Sequence, residues 1–346
     1  MNLRSPLMSA GLLLLALCPC WVAACQIPVF RYALERWRPE AIPAVVFHQG
    51  PLTKDQESAL GALAGDPKAP VNMEVRKIDL STNLSPAEEK LWAAQGPKAK
   101  AALPWLALQS SSGAGDDVRS PVQVAGFDVA AARRLVDSPA RRRIAGRLMG
   151  GQTAVWVLVE GTKAADNDAA EKLLATELAR LEKQLTLPEI DLDTPGPKLR
   201  SRLPMRLSFE VLRVSRKDAA ESVLVSMLTQ GMKPTDSPVV VPVFGQGRAL
   251  CQLTGVEIAP RQNADVAEFL IGACSCQVKE LNPGFDLLLA ADWESILEDG
   301  GGPAPADERP AGEIPEPVIG SGKPKSAPKG PATGNKLPLR PTRRPS

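Results

Sequence analysis

The sequence predicts an α/β protein of two consecutive units, each a mixed sheet flanked by helices, with a disordered C-terminal tail. Three observations carry this. The succession strand, helix, strand, helix, proline-led strand, hairpin strand, helix runs twice along the 346 residues. Apolar residues make up 44% of the chain but aromatics only 4%, so the cores must be mostly aliphatic. The apolar periodicity stops near Gly300. At roughly 100–200 residues per domain, the expected organisation is a signal peptide over 1–24, a first unit over 26–150, a second over 151–297 and a tail over 298–346.

The N-terminus reads MNLRSPLMSAGLLLLALCPCWVAAC. Arg4 gives a positive n-region, Leu12 to Leu17 a short apolar h-region, and Val22-Ala23-Ala24 the small residues of a cleavage site. That is the pattern of a secretory signal, because the apolar run is too short to span a bilayer. No later segment approaches the ~18 apolar residues of a membrane helix. Val22-Ala23-Ala24-Cys25 resembles the bacterial lipobox, which implies a diacylated Cys25 as a membrane anchor. Gln26 in place of Asp is similar to lipoproteins sent on to the outer membrane. The rival reading is ordinary small-residue cleavage, which leaves Cys25 a plain thiol. Cys18 and Cys20 fall in the removed segment either way, so six cysteines reduce to Cys25, Cys251, Cys274 and Cys276. If Cys25 is acylated, an odd three thiols remain in an oxidising compartment, and at least one is unpaired or metal-bound.

In the first unit, Ala44 to Phe47 forms a short apolar strand ending at His48-Gln49-Gly50-Pro51. Thr53 and Gln56 make a capping box that opens a helix. Val71 to Leu80 is a second strand. Ser85-Pro86-Ala87-Glu88 is a second capping box with proline at the first helical position. Leu103 to Leu108 is a strand led by Pro104, Pro121 to Gly126 its return, and helices start at Asp128 and at Ser138-Pro139. They end at Gly150-Gly151.

The pattern then restarts. Thr153 to Val159 is a strand, and a helix over about Asp168 to Leu185 aligns Leu174, Leu178, Leu181 and Leu185 in one core-facing stripe. A strand at Leu207 to Val214 and a helix at Asp218 to Leu228 follow. Pro238 leads the strand to Phe244, Gly245-Gln246-Gly247 turns it into Ala249 to Leu253, and a last helix carries Val266, Phe269, Leu270 and Ile271. Pro242 inside a central strand loses a ladder hydrogen bond and calls for a bulge or an edge.

This order, parallel βαβ followed by an antiparallel hairpin, resembles the thioredoxin fold over most of residues 40–280. In that family a cis proline precedes the third core strand. Pro104 holds the place in the first copy, and the run from Pro238 to Leu253-Thr254-Gly255 is similar to the end of that sheet, with about one residue inserted. The family places CxxC where the first strand meets its helix, so that the helix N-terminus lowers the thiol pKa. Here those junctions read His48-Gln49-Gly50-Pro51 and Glu160-Gly161-Thr162-Lys163, without cysteine, so the expected units are redox-inactive. Two strings, CQIPVFRYALERW from Cys25 and GACSCQVKELNPGFDLL from Gly272, are similar to an uncharacterised family of exported bacterial proteins. That resemblance implies export and no particular activity.

Net charge is +2, from 41 Lys+Arg against 39 Asp+Glu, which gives no case for nucleic-acid binding. The sum conceals a segregated tail. Residues 291–320 hold eight acids and one base, and 321–346 seven bases and no acid. Such a tail is either a solvated appendage or an electrostatic attachment to an anionic surface, such as lipid head groups or cell-wall polymer.

His48, the single histidine, excludes His-rich metal sites. It sits at a strand C-terminus, where α/β sheets bind ligands, or serves simply as a loop histidine. Cys274-Ser275-Cys276 is the main chemical candidate. It can chelate Cu(I) or Zn, form a reducible disulfide, or pair with Cys251 or an unlipidated Cys25. On a regular helix i and i+2 point about 160° apart, and the first helix breaker after the pair, Asn282-Pro283-Gly284, comes late. Arg133-Arg134 and Arg141-Arg142-Arg143 read as a solvated basic face without interleaved aromatics. Asp191 and Asp193 lack calcium-loop spacing and read as linker. No GxGxxG, P-loop or GxSxG pattern is present.

The leading expectation is therefore a non-enzymatic, exported and lipid-anchored protein at the periplasmic face of the envelope. Its thioredoxin-like units would bind or scaffold an envelope protein or an anionic surface, with no cofactor. The alternative is a thiol-disulfide or copper- or zinc-handling protein acting through Cys274 and Cys276.

Overall fold

The structure, a computed structural model, describes residues 26–100, 102–109, 122–125, 128–190, 197–274 and 277–297. The expectations for the signal peptide with Cys25, for Asp191 and Asp193, for Cys276 and for the tail from residue 298 lie outside these residues. Helix α1 (Val29–Arg36) precedes strand β1 (Ile42–His48), α2 (Lys54–Ala62), the small hairpin β2 (Gly65–Asp66) and β3 (Ala69–Pro70), and β4 (Met73–Asp79). Helices α3 (Pro86–Ala93) and α4 (Pro97–Lys100) lead to β5 (Trp105–Leu108) and β6 (Val122–Ala125), and α5 (Val129–Val136) and α6 (Pro139–Met149) close this half. The capping boxes at Thr53 and Ser85 are both formed, and Asp128 and Ser138 cap α5 and α6.

The second half runs β7 (Ala154–Val159), α7 (Ala164–Gln184), β8 (Phe209–Val214), α8 (Ser222–Leu228), β9 (Val239–Phe244), β10 (Arg248–Ala249), β11 (Leu253–Thr254), α9 (Pro260–Ile271) and β12 (Phe285–Asp286). Helix α7 begins four residues before the expected Asp168. The Asn167 side chain reaches back to accept from Gly161 N (2.7 Å), which allows the helix to start at Ala164 without a capping side chain at Lys163. Asp218 caps a 3-10 turn over Ala219–Glu221 before α8 begins.

The two principal sheets share one plan. In the first the order is β4-β1-β5-β6, with β1 parallel to β4 and antiparallel to β5, and β5 antiparallel to β6. In the second, β7 pairs in parallel with β8 and antiparallel with β9, and β9 is followed by the hairpin strands β10 and β11. Strand β12 adds an edge beyond β10. The Leu103–Pro104 peptide before β5 is cis, and it is the one cis bond among the described residues, so Pro238 before β9 is trans.

Pro242 is accommodated by a bulge. Val243 pairs with Ala249, but Val240 pairs with Leu253, so the hairpin side spends one more residue than β9 over the same span. The Pro242 carbonyl accepts from Leu250 N (2.9 Å) on that side, where the missing N–H also points. Cys251 lies in the bulge.

Alternation on the strands sorts the cores. Ala44 and Val46 of β1, Leu106 and Leu108 of β5, and Val155, Val157, Val159, Val239, Val241 and Val243 of the second sheet all enter one continuous core with α5, α6 and α8. The opposite face of the second sheet, with Trp156 and Leu158, is covered by α1, α7 and α9. The opposite face of the first, with Phe47 and Trp105, is covered by the segment around α3 and α4. Leu174, Leu178 and Leu181 of the leucine stripe are buried there against the second sheet, as expected for core.

Candidate functional site

The two strand–helix junctions differ in access. At the first, His48 ends β1 directly beside Asp79, its partner at the end of parallel β4. His48 Nδ1 donates to the Gly50 carbonyl at 2.8 Å, which leaves Nε2 as the acceptor on this tautomer. Asp79 Oδ1 accepts from Gly50 N (2.9 Å), Ser81 N (2.9 Å) and Ser81 Oγ (2.7 Å). These hydrogen bonds, above all the Ser81 hydroxyl, hold the Asp79 carboxyl down to about 2. Gly50 has φ +71°, and a Cβ built there would meet nothing within 4 Å, so the loop is open to solvent.

The second junction is sealed. A Cβ on Gly161 would lie 2.3 Å from the Asp236 carbonyl oxygen and 2.7 Å from Pro238 N. Thr162 N donates to that same Asp236 carbonyl (2.8 Å), and Arg216 Nε donates to the Glu160 carbonyl (2.6 Å). Arg213 bridges Glu160 (2.6 Å), Asp168 (2.7 Å) and Glu171 (2.9 Å), which raises its already high pKa, chiefly through the Asp168 hydrogen bond. Backbone and ion pairs fill the space that a reacting group would need.

The cysteines occupy different settings. Helix α9 ends at Ile271, with Gly272 as its C-cap, so Cys274 lies past the helix in extended chain. This corrects the expectation that the helix breaks too late for Cys274-Ser275-Cys276. Cys274 is buried against α1 and α9, and its backbone N donates to the Ile27 carbonyl (3.0 Å). Cys251 is a free thiol, and burial, with Glu257 nearby, pushes it up to about 11. It is thereby a poor nucleophile at neutral pH. Among the described residues no group of three or more His, Cys, Asp or Glu is placed to hold a metal ion.

The two strings singled out in the sequence meet. Pro28 and Ala273 form an antiparallel bridge, Val29 N donates to the Gly272 carbonyl (2.9 Å), Trp37 Nε1 to the Gln277 carbonyl (3.0 Å), and Tyr32 Oη to Gln277 Oε1 (3.1 Å). The two strings therefore form one structural unit, the docking of α1 beside the end of α9.

The arginine-rich helices do not present a uniform solvated face. Arg141 is 1% exposed and points inward, donating to the carbonyls of Leu135 (2.7 Å) and Arg134 (2.7 Å). Burial draws its pKa down to about 10. Glu221 accepts from Ser138 Oγ (2.6 Å) and Ala140 N (2.8 Å), which satisfies the start of α6. Arg133, Arg134 and Arg142 remain outside and line an open groove of about 620 Å³ together with Asp66 and with Asp137, which is ion-paired with Arg142. Arg133 and Arg134 leave it an excess of positive charge, and it was hidden in sequence because the lip comes from β2, some 70 residues away.

The fold and sites together define an α/β protein with two like-ordered mixed sheets, one open and one sealed strand–helix junction, and a groove lined by both arginines and aspartates. No family model matches the chain, and no curated protein is significantly similar to it.

Proposed function

We propose that the protein is an exported binding or scaffolding module of the cell envelope, built from two thioredoxin-like units that have given up thiol chemistry. The observation that carries this is the pair of strand–helix junctions. Both lack cysteine, and the second is filled by the Asp236–Pro238 backbone against Gly161. The matched strand order and directions of the two sheets support the thioredoxin-like reading. The shared core argues that the units act as one rigid body. The excess of arginine over aspartate in the groove beside β2 favours an anionic partner, such as lipid head groups, cell-wall polymer or an acidic envelope protein. No helix among the described residues is long and apolar enough to cross a membrane. Attachment to the envelope would thus fall to such a partner, to the tail or to a lipid on Cys25.

The test is turnover. The protein isolated from envelope fractions is assayed for reduction and oxidation of a model protein disulfide, with its copper and zinc content measured alongside. No turnover and no stoichiometric metal are expected. Catalytic turnover, or one bound metal per chain, that disappears in Cys274→Ser and Cys276→Ser would overturn the reading in favour of a thiol or metal function.

A further inference from the structure

The two sheets end differently on the side of their parallel edge strands. In the second sheet, β8 is closed. Phe209 N donates to Glu182 Oε1 (2.6 Å), and Glu210 is held by Arg143 and Arg147 (2.6 Å each). In the first sheet, β4 ends the strand order, and Glu74, Val75, Arg76 and Lys77 are all exposed, Val75 to 38%. An edge of this kind offers a row of unpaired backbone groups to another strand.

The direction of those groups follows from the bonds at the two ends of β4. The Asn72 carbonyl accepts from Ile42 N (2.9 Å), and Leu80 N donates to the His48 carbonyl (2.7 Å). Even-numbered residues therefore turn their N–H and C=O toward β1, and Met73, Val75 and Lys77 turn theirs outward. Met73 N donates to the Val71 carbonyl (2.8 Å), a tight turn that swings Val71 off the line of β4 to its bridge with Ala290. The free edge thus begins at Met73.

The charges on this edge select a partner. When two identical antiparallel strands pair about a two-fold axis, directly opposed residues share a face, so the axis passes through a residue. Pairing over most of the seven residues of β4 puts that residue at Val75, Arg76 or Lys77. The last two centres set a cation directly against itself, which is destabilising. The Val75 centre sets Glu74 against Arg76 of the second copy, twice, at the closer spacing of about 4.5 Å between Cα atoms. It also makes Val75 a hydrogen-bonded pair with its own copy, using the groups that point outward. Arg76 reaches Glu88 and Lys77 reaches Glu57 (3.6 Å) within the chain, while Glu74 has no ion pair among the described residues. The Arg76 guanidinium has donors enough for both carboxylates.

We infer that two copies of this chain associate through β4, antiparallel and centred on Val75, to join their first sheets into one. The contact is small beside the ~1,600 Å² of a standard interface, so the dimer is reversible. It needs neither the arginine-lined groove nor the thiols.

The test is sedimentation equilibrium of the full chain over a range of concentrations. The parent should pass from monomer to dimer as concentration rises. Glu74→Arg opposes two cations across the axis and Arg76→Glu two carboxylates, so each alone should weaken the dimer about tenfold or more. Mixed in equal amounts, the two variants restore both opposite-charge pairs and should form a heterodimer as tight as the parent. Hydrogen exchange of the parent alone reads the register. The Val75 and Lys77 amides should slow with rising concentration, while those of Glu74 and Arg76 stay unchanged. A chain that is monomeric at every concentration overturns the inference and leaves the edge to an extended peptide of another protein. A dimer that persists in both variants, or variants that gain nothing on mixing, overturns it by placing the contact elsewhere. Neither result alters the proposed function, which the turnover assay tests.

Discussion

Arg31 and Glu35 face each other one turn apart on α1, 2.7 Å from Nε to Oε1, with both side chains fully shielded from solvent. Arg31 Nη2 donates to the carbonyls of Ser201 (2.9 Å) and Leu203 (2.8 Å), and Glu35 Oε2 accepts from Arg200 N (2.8 Å). This short helix thus anchors a strand-less stretch about 170 residues away. Desolvating two charges makes the pair a weak net stabiliser, but removing one partner strands the other in the core.

Glu35→Ala should therefore destabilise the protein by about 3–5 kcal/mol, read as a lower urea midpoint. Arg31→Met with Glu35→Leu should recover much of that loss, because neither charge is left buried. A single variant within about 0.5 kcal/mol of the parent would show that the pair is more solvated than its geometry indicates.

The two junction glycines should respond differently to a methyl group. Gly161→Ala drives Cβ against backbone of residues 236–238 and should cost about 1–3 kcal/mol or more. Gly50→Ala has free space but must hold φ +71°, a cost of about 1–2 kcal/mol without any clash. Thermal melts should rank Gly161→Ala below Gly50→Ala. The reverse order would mean the second junction is not sealed.

Asp79 links the open junction to pH. Its carboxyl is drawn from 3.8 down to about 2 by the Ser81 and Gly50 hydrogen bonds. A depressed carboxyl stabilises the fold above the unfolded pKa, and that contribution fades as pH falls from about 4 through about 2. Asp79→Asn should be less stable than the parent at pH 7, and the gap should narrow through pH 4 to 2 and close only below about pH 2. Denaturation midpoints measured across that window that stay parallel would contradict the assignment.

Cys251 should be sluggish toward alkylation. With its thiol moved from 9.0 to about 11, the thiolate fraction at pH 8 falls from roughly one in ten to roughly one in a thousand. Iodoacetamide labelling of the Cys251 peptide, followed by mass spectrometry, should run about 100-fold slower than for an exposed cysteine and accelerate only toward pH 11. Rapid labelling at pH 8 would show that the bulge opens.

Legibility followed the range of the physics. Caps are local, so Thr53 with Gln56, Ser85 with Glu88, Asp128 and Ser138 announced their helices correctly. Pro242 announced a bulge or an edge, because a missing N–H has to be accommodated nearby, and the hairpin register made it a bulge. Arg141 was misjudged because its charge argued for solvent, while the carbonyl ends of α5 that receive it exist only after α5 and α6 fold together. The break after α9 was missed because Gly272 is a weak stop signal until Gly272 and Cys274 pair with Ile27–Val29.

By itself, the sequence determined the doubled α/β order, the absence of thiols at both junctions and His48 as the last residue of its strand. Each of these depends on contacts within a few residues or on residue identity alone. The tertiary structure alone decided that the two sheets share one core, that one junction is open and the other filled, and that Ile27–Val29 pairs with the chain just after α9. Those outcomes depend on burial and register between residues up to 250 positions apart, where side-chain volume and backbone hydrogen bonding, not local propensity, choose the partner.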